Sequence, residues 1–413
     1  MAQFAKIIAG LLFAGAAAAA HSTDPTLTDK LRAERSAVSI ENGRLAGPGA
    51  VKLREALGDS QFVVTGELHG IKEVADFSGA YFSELAADGF KTLAIEGSPA
   101  VGGMLHAALR GKDPLAAISG FRSEYPFALR YYDYKSEADL LVNVARAAGP
   151  TFSVIGFDSE SLGGSKHLLA QMAREPINGR AQAMVSSLIE QDAAANANAL
   201  KSGNPKDSFM FADKDAQLIA LRQSLTAARE KPALAMLDAL IDSRSFYVLR
   251  DKKLAYDADR QRAQLMKRNL AKVLAVDPSR KILVKTGAFH AIRGYSPGGA
   301  LEPGNYLAEH AEGRGATSLH VMVIATSGTA SAVAGLGRPA SDSPIEAPPA
   351  EGRYSGFLPF FTAAATQQGW ALYDLRPLRQ TKLALANPGF DDIALGFDFA
   401  LIITGATASP VLP

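Results

Sequence analysis

The chain has 413 residues, with 43 basic and 42 acidic side chains and no cysteine. So even a charge balance leaves no electrostatic footprint for nucleic acid or for an anionic membrane surface. The missing thiols exclude disulfides, a cysteine nucleophile and a lipid-modified N-terminal cysteine.

The N-terminus carries Lys6, an apolar run from Ile7 to Ala16 too short to cross a bilayer, and small residues at Ala18 and Ala20. This pattern predicts a cleavable secretory signal over residues 1–20 and a single mature domain over 21–413. Export without a further membrane anchor places the expected protein in a bacterial periplasm or outside the cell. Short apolar runs follow, and strands are expected at Phe62–Thr65, Thr92–Ile95, Phe152–Gly156, Ile282–Lys285, His320–Ala325 and Phe399–Thr404. The first four are near-continuous apolar runs, as parallel strands covered on both faces require. Between the first two, Val74, Phe77, Tyr81 and Leu85 recur at helical spacing and Gly89 closes the helix, which makes a βαβ unit.

From about residue 166 to 276 the pattern is almost wholly helical, broken at Lys201–Pro205. A block of that length between two strands predicts an inserted helical subdomain that walls or covers the sheet edge. Residues 327–354 are rich in Ala, Ser, Gly and Pro, which predicts a long flexible loop. The expected fold class is α/β, with a mostly parallel central sheet flanked by helices and a large inserted helical subdomain.

Chemistry-bearing residues follow each of the first four apolar runs. The first ends in Gly66-Glu67-Leu68-His69-Gly70, the second in Glu96-Gly97, the third in Asp158, and the fourth leads to His290. Residues two apart on a strand share a face, so Glu67 and His69 project together. In open α/β sheets the carboxyl edge is where ligands bind, and parallel neighbours would gather all four groups there. Two histidines among carboxylates suit a general-base site, where a neutral imidazole takes a proton from water and a carboxylate fixes its tautomer. The same types suit a divalent metal that activates water, with Glu67, His69 and His290 as ligands; no spacing decides between the two. No GxSxG elbow is present, which disfavours a serine hydrolase. Arg262, Met266 and Asn269 share one helical face, from which a guanidinium can hold a carboxylate or an oxyanion. Lys285 inside the fourth strand needs a partner, and a strand-end carboxylate is the natural one. Tyr125, Tyr131, Tyr132 and Tyr134 form an aromatic cluster that either walls a substrate or packs the core.

These motifs resemble the erythromycin esterase superfamily, which also takes in ChaN-type haem-binding proteins and Tiki-type metalloproteases. Gly66–Glu73 resembles that family's GExxHGxxE, and the run to Glu96 its helix, glycine, strand and terminal glutamate. Tyr134 with Glu137 resembles its W..E segment, and Gly156-Phe157-Asp158 its GFD block. Arg262, Met266 and Asn269 match its RDxxMxxN helix, Thr286–His290 its AHNxH block, and Gly396–Ile403 its closing strand. The match runs in order from about Phe62 to Thr404. Departures are specific: a single residue separates Glu67 from His69, Gly287 and Ala288 replace a histidine and an asparagine, and residue 263 is alanine. The resemblance implies a hydrolase of ester or lactone bonds with a small-molecule substrate. His69 would be base or ligand, Glu67, Glu73, Glu96, His290 and Arg262 would complete the catalytic site, and Asp158 and Tyr134 would bind substrate. Its other branches imply a divalent metal or haem as alternative cofactor on the same edge.

Overall fold

The computed structural model describes residues 25–332, 336, 341–346, 354–381 and 387–412. The expected signal segment lies outside them, as does part of the expected flexible loop.

The strands are β1 (Arg35–Glu41), β2 (Arg44–Ala46), β3 (Ser60–Glu67), β4 (Thr92–Ile95), β5 (Ser153–Gly156), β6 (Ile282–Gly287), β7 (Thr317–Ala325), β8 (Thr329–Ala332), β9 (Ser341–Glu346), β10 (Gly369–Asp374) and β11 (Phe399–Thr404). Nine of them form one sheet in the order β2-β1-β10-β11-β7-β3-β6-β4-β5. The run from β11 to β5 is parallel throughout. On the far side β10 and β1 pair antiparallel and close the sheet with a short edge strand. All six expected strands are present, two of them with the expected limits. Sequence patterning missed β1, β2 and β10 in the sheet, and it read a loop where β8 and β9 form a separate antiparallel pair.

Both faces of the sheet are covered. Val63, Leu283 and Val321 pack on one side against the helices Lys72–Leu85 and Lys135–Ala148. Phe62, Val64, Val284 and Met322 pack on the other against Met266 and Leu270 of the helix Ala255–Val276 and Leu307 of Pro303–Glu312. This two-sided burial is why the central strands read as unbroken apolar runs instead of alternating. Between β5 and β6 stand the helices Gly164–Met172, Gly179–Ser202, Asp215–Ser224 and Lys231–Asp251, joined by a core of their own that includes Val185, Leu221 and Leu237. Against the sheet's carboxyl edge this insertion contributes Tyr247 and Ser243, which bond the main chain of Glu160 just after β5.

Register sets what meets at that edge. Glu67 of β3 stands level with Gly287 of β6, and Ile95 of β4 with Gly156 of β5. Two glycines make the first turn possible. Gly66 lies beneath the short helix Ala288–Ala291, where an added Cβ would come within 2.7 Å of the Ala291 side chain. Gly70 has φ of 82° and abuts the main chain of Ser331. Replacing Gly66 by alanine is expected to destabilise the fold by about 1–3 kcal/mol through overpacking, read from chemical denaturation midpoints.

Candidate active site

Glu67 is the last residue of β3, and the chain turns through His69 into the helix Lys72–Leu85. The His69 Nδ1 lies 2.8 Å from Glu67 Oε1, and its Nε2 lies 3.4 Å from Glu96 Oε2. The Tyr131 ring stacks on the imidazole, centroids 3.6 Å apart and planes 11° from parallel. Behind Glu67, the Lys285 ammonium reaches its carboxylate at 2.8 Å and that of Glu137 at 2.8 Å.

Glu96, one residue past β4, is the hub. Its Oε2 accepts from the Thr286 hydroxyl at 2.8 Å and from the Gly287 amide, and its Oε1 accepts from Arg262 Nη2 at 2.8 Å. Arg262 also donates through Nε to Asp158 Oδ1 at 2.9 Å and through Nη2 to Oδ2. Arg130 reaches the same carboxylate at 3.1 Å. On the helix that carries Arg262, Met266 is fully buried and Asn269 donates to the Phe157 carbonyl at 3.2 Å, which ties that helix to the end of β5. Opposite His69 stands His290, its Nδ1 2.7 Å from Glu302 Oε2 and its Nε2 3.9 Å from Glu96 Oε1. Ser296 holds the other Glu302 oxygen at 2.8 Å. His320, buried in β7, donates to the Ala291 carbonyl at 2.7 Å and so anchors the turn that presents His290.

The site therefore contains two carboxylate-backed imidazoles whose Nε2 atoms both face Glu96. Burial pushes the His69 imidazole down, but the facing Glu96 and Glu67 carboxylates outweigh it and raise its pKa to about 9. His290 is raised for the same reason, with Glu302 overcoming burial. Burial would raise Glu96, yet His69, His290 and Arg262 hold it well below the usual carboxylate range. Asp158 is likewise lowered, its burial offset by Arg262 and Arg130. At neutral pH the resting imidazole of His69 is charged, where the sequence suggested a neutral one.

Solved structures share this architecture. An erythromycin esterase, a histidine-to-asparagine variant in its open conformation, superposes with a TM-score of 0.60 at 13% identity over 88% of this chain and 95% of that one. The fold is shared with an erythromycin esterase. A Bacillus cereus protein gives a TM-score of 0.60 at 14% identity, and a succinoglycan biosynthesis protein 0.59 at 14%, each over 95% of this chain and all of theirs. No family model and no curated protein sequence matches. The likeness supports the resemblance to the erythromycin esterase superfamily at the level of fold.

On this esterase-like frame, Glu67, His69, Glu96, Asp158, Arg262 and His290 come together. Glu73 does not join them: its carboxylate accepts from the Thr407 amide at 2.9 Å and ties down the C-terminal segment. Tyr134 is fully buried with its hydroxyl on the Ala332 carbonyl, so it packs the core, and Tyr131 is the aromatic of the site. Arg262 fixes two carboxylates at once, which makes it a clamp on Glu96 more than a group waiting for an oxyanion. Sequence reasoning did not single out Arg130 or Glu302. Arg130 and Tyr131 adopt left-handed backbone, φ 24° and 54°, a strain no local pattern encodes. Glu302 has no periodic relation to His290 and meets it only because the chain loops back.

A metal held by Glu67, His69 and His290 does not fit these donors. The Glu67 carboxylate is spent on Lys285 and on His69 Nδ1, and Arg262 already supplies the positive charge at Glu96. Among the described residues no group of three or more His, Asp or Glu side chains is arranged to hold a metal ion. Haem does not fit either: Tyr131 covers one face of His69, and both imidazoles aim Nε2 at a carboxylate instead of an open apolar slot. Lys285→Met is expected to cost about 3–5 kcal/mol in denaturant titrations, since it removes the cation that the buried carboxylates of Glu67 and Glu137 share.

Proposed function

We propose that the protein is a metal-independent hydrolase of ester or lactone bonds in a small-molecule substrate, acting outside the cytoplasm. The observation that carries this reading is the pair of carboxylate-backed imidazoles, Glu67–His69 and Glu302–His290, facing each other across Glu96. A carboxylate on Nδ1 fixes the tautomer and leaves Nε2 for proton transfer, the arrangement a general base requires. The fold shared with an erythromycin esterase is consistent with it.

In this reading His69, once deprotonated, takes a proton from water at Nε2 while the water oxygen bonds to the carbonyl carbon. The tetrahedral adduct then breaks its carbon–oxygen bond to the leaving group. The departing oxygen receives a proton from His290, whose charged form Glu302 favours. Acid and alcohol are the products. Glycine at 287 keeps a side chain from crowding these groups: a Cβ there would stand 3.1 Å from His69 Nε2 and 3.2 Å from Glu96 Oε2. Loss of the polar side chains that the esterases carry at 287 and 288 argues for a substrate other than a macrolide. The N-terminal pattern supports export, and no described helix is long and apolar enough to cross a membrane.

The test is hydrolysis of a panel of esters and lactones by purified protein, with and without a chelator. Activity is expected to survive chelation, to fall at least about a hundredfold in His69→Ala, and to drop in Gly287→Ala while the fold persists. The base must lose its proton while the acid His290 keeps its own. The expected kcat/KM profile is therefore bell-shaped: it rises with pH as His69 deprotonates near 9 and falls again as His290 loses its proton. Turnover restored only by added divalent metal would sink the reading.

A further inference from the structure

A cavity of about 450 Å³ lies where the inserted helices meet the sheet's carboxyl edge. Its lining comes from the segment just after β5 and from the helices Pro99–Leu109, Gly164–Met172, Lys231–Asp251 and Ala255–Val276. Pro99, Ala235 and Lys272 stand exposed at its mouth, while Leu168, Leu265, Asp158 and Glu160 are buried at its inner end. That volume suits a small organic molecule, and the lining includes neither His69 nor His290. Glu160 is the group that packing alone does not explain. It is 1% exposed, and its Oε2 has no hydrogen-bond partner. Glycine at 164 admits the carboxyl, since a Cβ there would collide with that oxygen. The other three carboxylates of the lining each hold a guanidinium: Asp158 with Arg262, Asp238 with Arg222, and Asp242 with Arg268. No described basic side chain closes on the Glu160 oxygen. Burial pushes its pKa up to about 7 against the Ser98 hydroxyl, with Asp158 adding to the push and Arg130 opposing it.

We propose that this cavity binds a small organic amine, an ammonium group on an apolar body, with Glu160 as its counter-ion. The apolar body rests on Leu168, Met236 and Leu265, and the ammonium donates to Glu160 Oε2. A buried carboxylate gains more from a charged donor than from a hydroxyl, because the attraction acts at low dielectric. An anionic ligand is disfavoured, since the lining sets four carboxylates against Lys272. The charged and titratable groups around Glu160 are Asp158 from the same segment, Arg130 from the strained loop and Tyr247 from the helix Lys231–Asp251. Asp238, Asp242 and Lys272 stand nearer solvent. Asp158 is common to the cavity and to the Arg262 clamp, so the site adjoins the proposed catalytic groups without including them. The inference goes beyond the proposed hydrolysis and stands without it.

The experiment titrates benzylammonium, and benzyl alcohol as its neutral counterpart, into the full chain at pH 8. There the Glu160 carboxyl is about nine-tenths ionised before any ligand arrives, so binding does not wait on its proton. Occupancy is read from the Met236 methyl signal in methyl-labelled protein, assigned by its loss in Met236→Leu. Benzylammonium is expected to bind with a Kd of about 1 mM or tighter, and at least about tenfold more tightly than benzyl alcohol. Glu160→Gln keeps the shape and is expected to abolish that preference. Ala239→Leu narrows the cavity and is expected to weaken both probes, while His69→Ala is expected to leave binding unchanged. The proposal is overturned by equal affinity for the two probes, by a preference that persists in E160Q, or by a Met236 methyl that does not move at about 10 mM probe. Binding lost in His69→Ala, or untouched in Ala239→Leu, places the probe elsewhere and overturns it too. Should E160Q fail to fold, the parent's preference and its weakening in Ala239→Leu decide the matter. Absence of ester hydrolysis with amine binding intact counts against the proposed activity and leaves this site standing.

Discussion

Eight ionisable side chains of alternating sign run across the carboxyl edge of the sheet: Glu137, Lys285, Glu67, His69, Glu96, Arg262, Asp158 and Arg130. Each touches the next, and all are largely or wholly buried. An isolated member would be costly in that setting, since a single buried charge loses several kcal/mol of solvation. Alternation lets each of the six inner members face two partners of opposite sign, each contact worth on the order of 4 kcal/mol at an effective dielectric near 20. The row is therefore stable as a set and fragile in its parts. That property ties the sheet, the strained loop and the inserted helices into one arrangement.

The row also explains how flanking elements are used. Arg262 arrives on the helix that closes the insertion, and Arg130 from a loop with left-handed backbone at two successive non-glycine residues. Neither position is favourable alone. Asp158 holds both guanidinium groups, and Asn269 fixes the helix of Arg262 to the end of β5. On the other flank His320 and Asp398 brace the turn bearing His290: Asp398 accepts from the His320 amide and from Arg293. Rigid elements thus place both imidazoles, as proton transfer over short distances demands.

The chain's departures from the esterase pattern take on physical meaning in this frame. Gly287 keeps a Cβ from crowding His69 Nε2, while its amide still serves Glu96. The single-residue spacing of Glu67 and His69 lets one carboxylate bond the imidazole of the same turn while Lys285 holds it from behind.

The amino-acid sequence by itself determined the parallel core, the helical insertion and the strand-end set of Glu67, His69, Glu96 and Asp158. These follow from two-sided burial and from the period of a strand, both local properties. It did not reveal β1 and β2, whose residues are partly exposed or few, nor β10, although its Trp370–Tyr373 are apolar. The sequence did not show that Glu73 bonds the Thr407 amide or that Tyr134 lies in the core, because a helix start and a core aromatic look the same whichever way they face. Tertiary structure alone decided that Glu302 backs His290, that Tyr131 covers His69, and that Lys285 pairs with two carboxylates at once. Those contacts join residues up to 218 positions apart, and the charge state of His69 is set by the sum of them. A proton's affinity depends on every charge within a few ångströms in space, and no spacing along a chain records that distance.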